Sequence, residues 1–291
     1  MYRKDSIIIE EWLKRSDKAL LVTGARQIGK TWLIREEIAK SGYRKFEVNF
    51  IDQPDLVDYL NVKMSANEFL VKLKMIMPED CKPQETVVFF DEIQKCPEIV
   101  TKIKFLVEEG SFKYVMSGSL LGVELKGITS VPVGYLTVLT MYPMDFEEFL
   151  MAAGETDLCD LLRQPDWEIL KILSLKYVDL LRQYCYVGGM PEVVDCFFQH
   201  QNLQEVRDKQ TEILDAYRRD ISKHTTPTES IRIGQVLQSL PSQLAKENKK
   251  FIYNVLKKGA RATEYELAIQ WLMDAGLVHK VSRIKELQMP V

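Results

Sequence analysis

The sequence predicts an α/β fold, a parallel sheet flanked by helices, followed by a helical second half. Three observations carry this. Short apolar runs at Ala19–Thr23, Thr86–Phe90 and Phe112–Met116 have the length of buried strands. Helical patterns separate them, as parallel strands require. From Phe146 to about Lys223 the apolar spacing is helical throughout.

The first strand, ALLVT, leads into GARQIGKT, Gly24 to Thr31, which fits G-x-x-x-x-G-K-[ST]. A helical pattern follows, with Leu33, Ile34 and Ile38 apolar and Gly42 placed as a stop. Strand, loop and helix are the setting of a phosphate-binding P-loop. Gly24 and Gly29 allow the backbone to turn its N–H groups inward as an anion nest. The positive end of the following helix points at the same place. Lys30 supplies an ammonium for the β- and γ-phosphates, and Thr31 a hydroxyl for Mg²⁺. Ala25, Arg26, Gln27 and Ile28 complete the nucleotide-binding loop, with Arg26 and Gln27 at its variable positions. Trp32 follows at once. Packing under the sheet is the expectation, and contact with the base or α-phosphate the alternative.

Thr86–Phe90 (TVVFF) reads as a strand covered on both faces. It ends in Asp91-Glu92. Asp91 is placed to hold Mg²⁺, and Glu92 to polarise an attacking water. An acidic doublet here favours an ATPase over a small-molecule kinase. A helix cap is compatible with both roles. The strand Phe112–Met116 ends in Ser117-Gly118-Ser119, and Ser117 or Ser119 stands where a γ-phosphate sensor would be; a plain serine turn is the alternative. Strands near Phe46–Phe50 and Leu136–Leu139 bring the count to five.

The 291 residues leave room for two or three domains. With 46% hydrophobic and 28% charged residues the composition is that of a folded globular protein. A net charge of −3 excludes a uniformly basic nucleic-acid coat protein. Five cysteines, an odd number with no C-x-x-C pair, argue against a disulfide framework or structural zinc. The three histidines are far apart without H-E-x-x-H, so ordinary packing or surface is expected of all eight residues. Ile7 to Ile9 is far too short for a signal-peptide core, and no apolar run approaches the ~20 residues of a membrane helix. A soluble, reduced, cytoplasmic protein is expected.

GARQIGKT, FFDEIQKCPE, MSGSLL, MYPMDFEEFL, YVGGMPEVV and RRDISKH follow one another in this order. The chain thereby resembles a large family of predicted prokaryotic AAA+ superfamily ATPases, whose N-terminal ATPase domain precedes a C-terminal domain of unknown function. The resemblance spans nearly the whole chain. It implies nucleotide contacts at Gly24 to Thr31, Asp91 and Glu92. Two departures stand out. The family's pattern places a basic residue, often Gly-Arg, just before the fifth strand, where this chain has Gly134-Tyr135. No arginine occurs between Arg44 and Arg163. An arginine finger stabilising the transferring phosphoryl group would have to be Arg182, Arg218 or Arg219, or come from a second subunit or a partner, so slow basal turnover is expected. Family members also usually continue into a nuclease-like domain beyond the point where this sequence ends, so a truncated and a natural short form both stand open.

Asp145 with Glu148 reads as a capping box, and Gly188-Gly189 breaks a helical run that Pro191 restarts. This places an ATPase domain at 1–150 and a helical lid at 151–227. Residues 228–291 read as a winged helix: a first helix ending near Pro241, a short second one at Ser242 to Glu247, a β-like Phe251 to Val255, a third helix at Thr263 to Ala275 and a wing strand at Leu277 to Ile284. From Thr228 on, ten basic residues face six acidic ones. Lys246, Lys249, Lys250, Lys257, Lys258 and Arg261 cluster and could touch a phosphate backbone. The third helix carries Glu264, Glu266 and Asp274 and no base, which favours packing or partner contact over DNA reading. Three functions follow: an ATPase working on a macromolecular partner, a nucleotide-controlled switch, or a DNA-binding module that keeps ATP as a structural ligand.

Overall fold

The structure, a computed structural model, describes residues 1–119 and 134–282. In chain order its main elements are α1 (Ser6–Arg15), β1 (Ala19–Thr23), α2 (Lys30–Ser41), β2 (Arg44–Asn49), α3 (Pro54–Leu60), α4 (Ala66–Ile76), β3 (Thr86–Asp91), α5 (Glu98–Glu109), β4 (Lys113–Ser117) and β5 (Leu136–Thr140). Then come α6 (Phe146–Ala152), α7 (Thr156–Arg163), α8 (Trp167–Ile172), α9 (Ser174–Val187), α10 (Pro191–His200), α11 (Leu203–His224), α12 (Pro227–Leu244) and α13 (Ala262–Asp274).

The five strands form one sheet in the order β2-β3-β4-β1-β5, every pair parallel. All six residues of β3 are buried. Val88, Phe90, Tyr114 and Met116 share one core with Phe69 and Leu73 of α4 and Ile99 and Ile103 of α5. Phe90 stacks between Phe50 and Tyr114, with ring centres 6.0 and 6.4 Å away. The alternate residues Leu20, Val22, Val87, Phe89 and Val115 are equally buried, so the sheet is covered on both faces, as continuous apolar strands require. Because the strands are parallel, their C-terminal ends share one edge. The register sets Asn49 beside Asp91, and Val22 beside Ser117.

The predicted capping box is present at α6, where Asp145 accepts from Glu148 N at 2.9 Å and Glu148 accepts from Asp145 N at 3.1 Å. Residues Met1–Ile213 form one compact unit and Leu214–Val291 a second. In the second, α12 and α13 pack on one another through Ile233 and Val236 on one side and Tyr265, Ala268 and Leu272 on the other, all buried. Tyr265 OH donates to Gln235 Oε1 at 2.7 Å.

Two predicted features of this unit are corrected. The helix does not stop near Pro241, nor does a separate helix start at Ser242; α12 continues to Leu244. Proline removes an N–H donor and crowds the preceding turn, but burial of the inner face and side-chain bonds on either side of Pro241 hold the helix. Ser239 Oγ donates to Val236 O at 2.8 Å and Ser242 Oγ to Ser239 O at 2.9 Å, while Ser239 and Gln243 hold the inner face buried. Residues 251–255 are also not a strand. They end in a 3-10 turn, Tyr253–Val255, and Ile252 N donates to the Gln243 side chain at 2.6 Å. A β-rich segment needs a neighbouring strand to pair with, and the described residues of this unit contain none. Of the expected wing, 277–282 contain no strand and the remainder lies outside the described residues.

Candidate nucleotide site

The loop after β1 has the backbone its glycines foretell. Gly24 lies at φ 137° and Gly29 at φ 88°, with Gln27 also left-handed at 63°. At Gly24 a side chain is excluded, since a Cβ would sit 2.3 Å from Met141 O. Lys30 opens α2, and its ammonium donates to Ala25 O at 2.7 Å and Gly24 O at 3.1 Å. Ala25 and Ile28 are buried and contribute backbone only. Burial pushes the Lys30 pKa down to about 8, against the pull of Glu92 and Asp91 and with a further push from Arg26.

Asp91 is the organising group of the strand edge. It is 3% exposed. Thr31 Oγ1 donates to its two oxygens at 3.0 and 3.1 Å. Asn49 Nδ2 and Glu92 N each donate at 3.1 Å, and Ser117 Oγ makes a close contact. Thr31 hydroxyl and Asp91 carboxylate are hard oxygen donors of the kind Mg²⁺ prefers, so the residues fit that ion. Glu92 stands on a left-handed backbone, φ 57°, unusual for a non-glycine residue. Its carboxylate accepts from Gln94 Nε2 and, at 3.5 Å, from Ser119 Oγ. Arg26 Nε donates to the same Ser119 at 3.1 Å, so a hydrogen-bonded chain runs from the loop to Glu92.

These groups line a cleft of about 670 Å³ that Arg26, Gln27, Gly29, Lys30, Thr31, Trp32, Glu92 and Ser119 share. The volume is ordinary for a small-molecule site. The two serines separate: Ser119 lines the cleft, while Ser117 is buried against Asp91. Trp32 is not under the sheet. It is 44% exposed at the cleft, because Leu33, Ile34 and Ile38 take the inward face of α2. Arg182 pairs with Asp179 at 3.1 Å on exposed α9 and does not line the cleft. In the second unit, Arg218 pairs with Asp215 at 2.7 Å, and Arg219 is exposed. Lys246, Lys249, Lys250, Lys257, Lys258 and Arg261 are all exposed, as are Glu264 and Glu266 of α13.

The sequence reading missed Arg3, Asn49, Glu192 and Asp195. Arg3 is 3% exposed and ties three segments together. It donates to Ile28 O at 2.5 Å, Tyr142 O at 2.6 Å and Glu148 Oε1 at 3.1 Å. Pro191, Glu192 and Asp195 bring α10 to the cleft. Gly189 holds α10 there: Met144 N donates to its carbonyl at 2.7 Å, and a Cβ on it would lie 2.1 Å from Met144 O. The Gly-Gly-x-Pro run was the available signal for this wall; no spacing announced Arg3.

Residues 16–150 match the family model described as an AAA domain, and residues 178–289 match a domain of unknown function (DUF8612). The chain is thus an AAA-domain protein, with an N-terminal P-loop ATPase domain followed by that C-terminal domain. Among solved structures it is similar to the Walker-type ATPase PABY2304 of Pyrococcus abyssi, at 11% identity and TM-score 0.50 over 94% of this chain and 89% of that one. A structure of a single-substitution variant of Thermotoga maritima RuvB matches at 13% identity and TM-score 0.38, over 96% of this chain and 87% of that one. The first likeness concerns the fold alone. No curated protein sequence matches the chain. No helix among the described residues is long and apolar enough to cross a membrane.

Proposed function

We propose that the protein binds ATP with Mg²⁺ at Gly24 to Thr31 and hydrolyses it slowly, using the cycle to change conformation on a macromolecular partner. The observation that carries this reading is that Lys30, Thr31 and Glu92 line one cleft at the C-terminal edge of the sheet, with the buried Asp91 bonded directly to Thr31 and to Glu92 N. Lys30 leaves its loop carbonyls for the β- and γ-phosphates. Thr31 and Asp91 would hold Mg²⁺, which neutralises phosphate charge when bound. Glu92, steadied by Gln94 and Ser119, accepts a proton from the attacking water, and ADP and phosphate leave. Ser119 is the better sensor candidate, since it reaches both Glu92 and Arg26. Arg26, which lines the cleft and donates to Ser119, is a candidate to serve the transferring phosphoryl group in cis. Without an additional arginine from a second subunit or partner, turnover stays slow.

A nucleotide-controlled switch is the second reading, favoured by Arg182 lying away from the cleft. Of the winged-helix-like module expected at 228–291, the described residues keep the packed α12 and α13 pair and no strand, so this region is taken as a helical partner-contact module. The acidic face of α13 favours a protein partner; the exposed lysines make duplex DNA the ligand to test. The experiment is steady-state ATP hydrolysis and direct ATP binding by wild type, Lys30→Ala and Glu92→Gln, with and without duplex DNA. Wild-type turnover that falls roughly 10²- to 10⁴-fold in Glu92→Gln while ATP still binds is the expected result. Equal inactivity of all three with wild-type binding intact selects the switch. A wild type that does not bind ATP sinks both readings.

A further inference from the structure

A second cluster of chemically capable side chains lies where α10 meets α11, apart from the phosphate loop. Cys196 and His200 are four residues apart on α10 and therefore share a helix face. Gln201 follows on left-handed backbone, φ 52°, and turns the chain so that Glu205, in the first turn of α11, comes back to them. One donor atom from each of Cys196, His200 and Glu205 lies within 4.8 Å of the others. Cys196 is buried, Glu205 half-buried and His200 exposed.

The surroundings are arranged around the carboxylate. Asn202 Nδ2 donates to Glu205 Oε1 at 2.8 Å. Asn202 is itself fixed by accepting from Gln204 N at 3.0 Å. The other carboxylate oxygen, Oε2, meets His200 Nδ1. One oxygen is thus held by an outer-shell amide while the second is aimed into the cluster, which is how ligating carboxylates are supported. Glu192, Asp195, Asp208 and Glu212 border the same cavity. Lys209 offsets part of their charge, bonding Glu192 at 2.7 Å and Glu212 at 3.2 Å.

We propose that Cys196, His200 and Glu205 form a binding site for a divalent transition cation of the Zn²⁺ type. A thiolate, an imidazole and a carboxylate are the donor types such ions take. Around a tetrahedral ion with bonds of 2.0–2.3 Å, donors sit roughly 3.5 Å apart. The three donors now lie within 4.8 Å of one another, with His200 Nδ1 and Glu205 Oε2 in direct contact; an ion entering between them opens that contact, and rotation of the exposed His200 and the half-buried Glu205 brings both toward the sulfur. The thiol gives its proton to solvent, the sulfur takes its place on the ion, and water fills the fourth position. Mg²⁺ and Ca²⁺ prefer six or more oxygens, so this site does not compete for the ion that accompanies ATP. It joins the C-terminal end of α10 to the start of α11, and α10 carries Glu192 and Asp195 into the nucleotide cleft.

The test is titration of the full reduced chain with Co²⁺. The expected result is one equivalent bound, with a thiolate-to-cobalt charge-transfer band and tetrahedral ligand-field bands, discharged by Zn²⁺ and indifferent to millimolar Mg²⁺. Cys196→Ser abolishes the charge-transfer band. His200→Gln and Glu205→Gln weaken binding about tenfold or more, by more than any change in the melting of the metal-free protein accounts for; folded variants that bind as wild type does overturn the site. Cys185→Ser, at the exposed cysteine, leaves the spectrum unchanged. A wild type with no thiolate band overturns the proposal, and so does a band that survives Cys196→Ser or disappears with Cys185→Ser.

Discussion

Replacing Lys30 with methionine should destroy nucleotide binding and yet raise the melting temperature of the nucleotide-free protein. Lys30 is 8% exposed, and burial lowers its pKa from 10.5 to about 8. At 1.36 kcal/mol per pKa unit, keeping this lysine charged at neutral pH costs the fold about 3 kcal/mol. Methionine keeps most of the stem volume and removes the charge. It also leaves Ala25 O and Gly24 O without their donor, a loss of about 1 kcal/mol each before water in the open cleft replaces it. The net gain is about 1–2 kcal/mol, or roughly 2–8 °C for a unit of this size. The folded pKa lies below the unfolded one, so the unfolded chain binds the extra proton between pH 8 and 10.5. The penalty is therefore fully present below pH 8 and fades as pH rises toward 10.5, and the advantage of Lys30→Met should fade with it. Thermal melts of both proteins at pH 7 and pH 10 measure this. ATP should reverse the order at pH 7, because wild type at a hundredfold excess over Kd gains about 2.7 kcal/mol and the variant gains nothing. A nucleotide-free Lys30→Met protein that melts below wild type at pH 7 would refute the reasoning.

Gly189→Ala should destabilise the first unit by about 1–3 kcal/mol or more, because the added methyl would meet Met144 O at 2.1 Å; a melt within 1 °C of wild type would show that the chain can yield there. Arg3→Ala should cost about 3–5 kcal/mol by leaving Glu148, 4% exposed, as a buried unpaired charge. Arg3→Lys should recover only part of that, since an ammonium lacks the planar fork that reaches three partners; denaturant melts of the two variants test the ranking. If the lysine cluster of the second unit meets duplex DNA through phosphates alone, affinity should fall steeply with salt, and changing Lys249 and Lys250 to Ala should reduce the slope of log K against log salt by roughly 2. Salt-independent or absent binding would assign the cluster to solvent.

The phosphate loop and the acidic strand end were legible because their chemistry demands contiguous residues. Gly24 to Thr31 must be one turn, and Asp91 must end a buried strand. β1 and β3 were legible for the same local reason, since each is a nearly continuous apolar run, whereas β2, RKFEVN, mixes charged and apolar residues. What the sequence concealed are groups that reach the cleft by tertiary paths. Arg3 arrives from the chain terminus, and Asn49 arrives because β2 pairs in register with β3. Glu192 and Asp195 look like surface acids on any helical wheel. Cys196, His200 and Glu205 follow no familiar metal spacing, and only the left-handed turn at Gln201 brings the third to the other two. In the second unit, propensity misled the reading. Pro241 signals a stop, but a buried inner face carries α12 through it. The residues at 251–255 favour a strand, but a strand needs a partner.

The Gly188-Gly189 pair divides its work in a way that bears on what a nucleotide cycle can move. A side chain at Gly188 would meet nothing within 4 Å, yet the residue stands at φ 77° and ψ −172°, a region nearly reserved for glycine. It is there for its backbone. Gly189 has no such angle and is there for its missing side chain, which lets its backbone lie against Met144. The start of α10 is therefore fastened to the segment leaving β5, and Arg3 fastens that same segment to Ile28 of the phosphate loop. The same segment also holds α9, since Tyr184 OH donates to Met144 O at 2.8 Å, so both helices flanking the glycine pair take their position from it. A nucleotide that shifts the Ile28 carbonyl should therefore shift Arg3, the Tyr142 to Met144 segment and, with it, both α9 and α10; hydrogen exchange with and without ATP measures this, and unchanged protection in α9 and α10 would refute it.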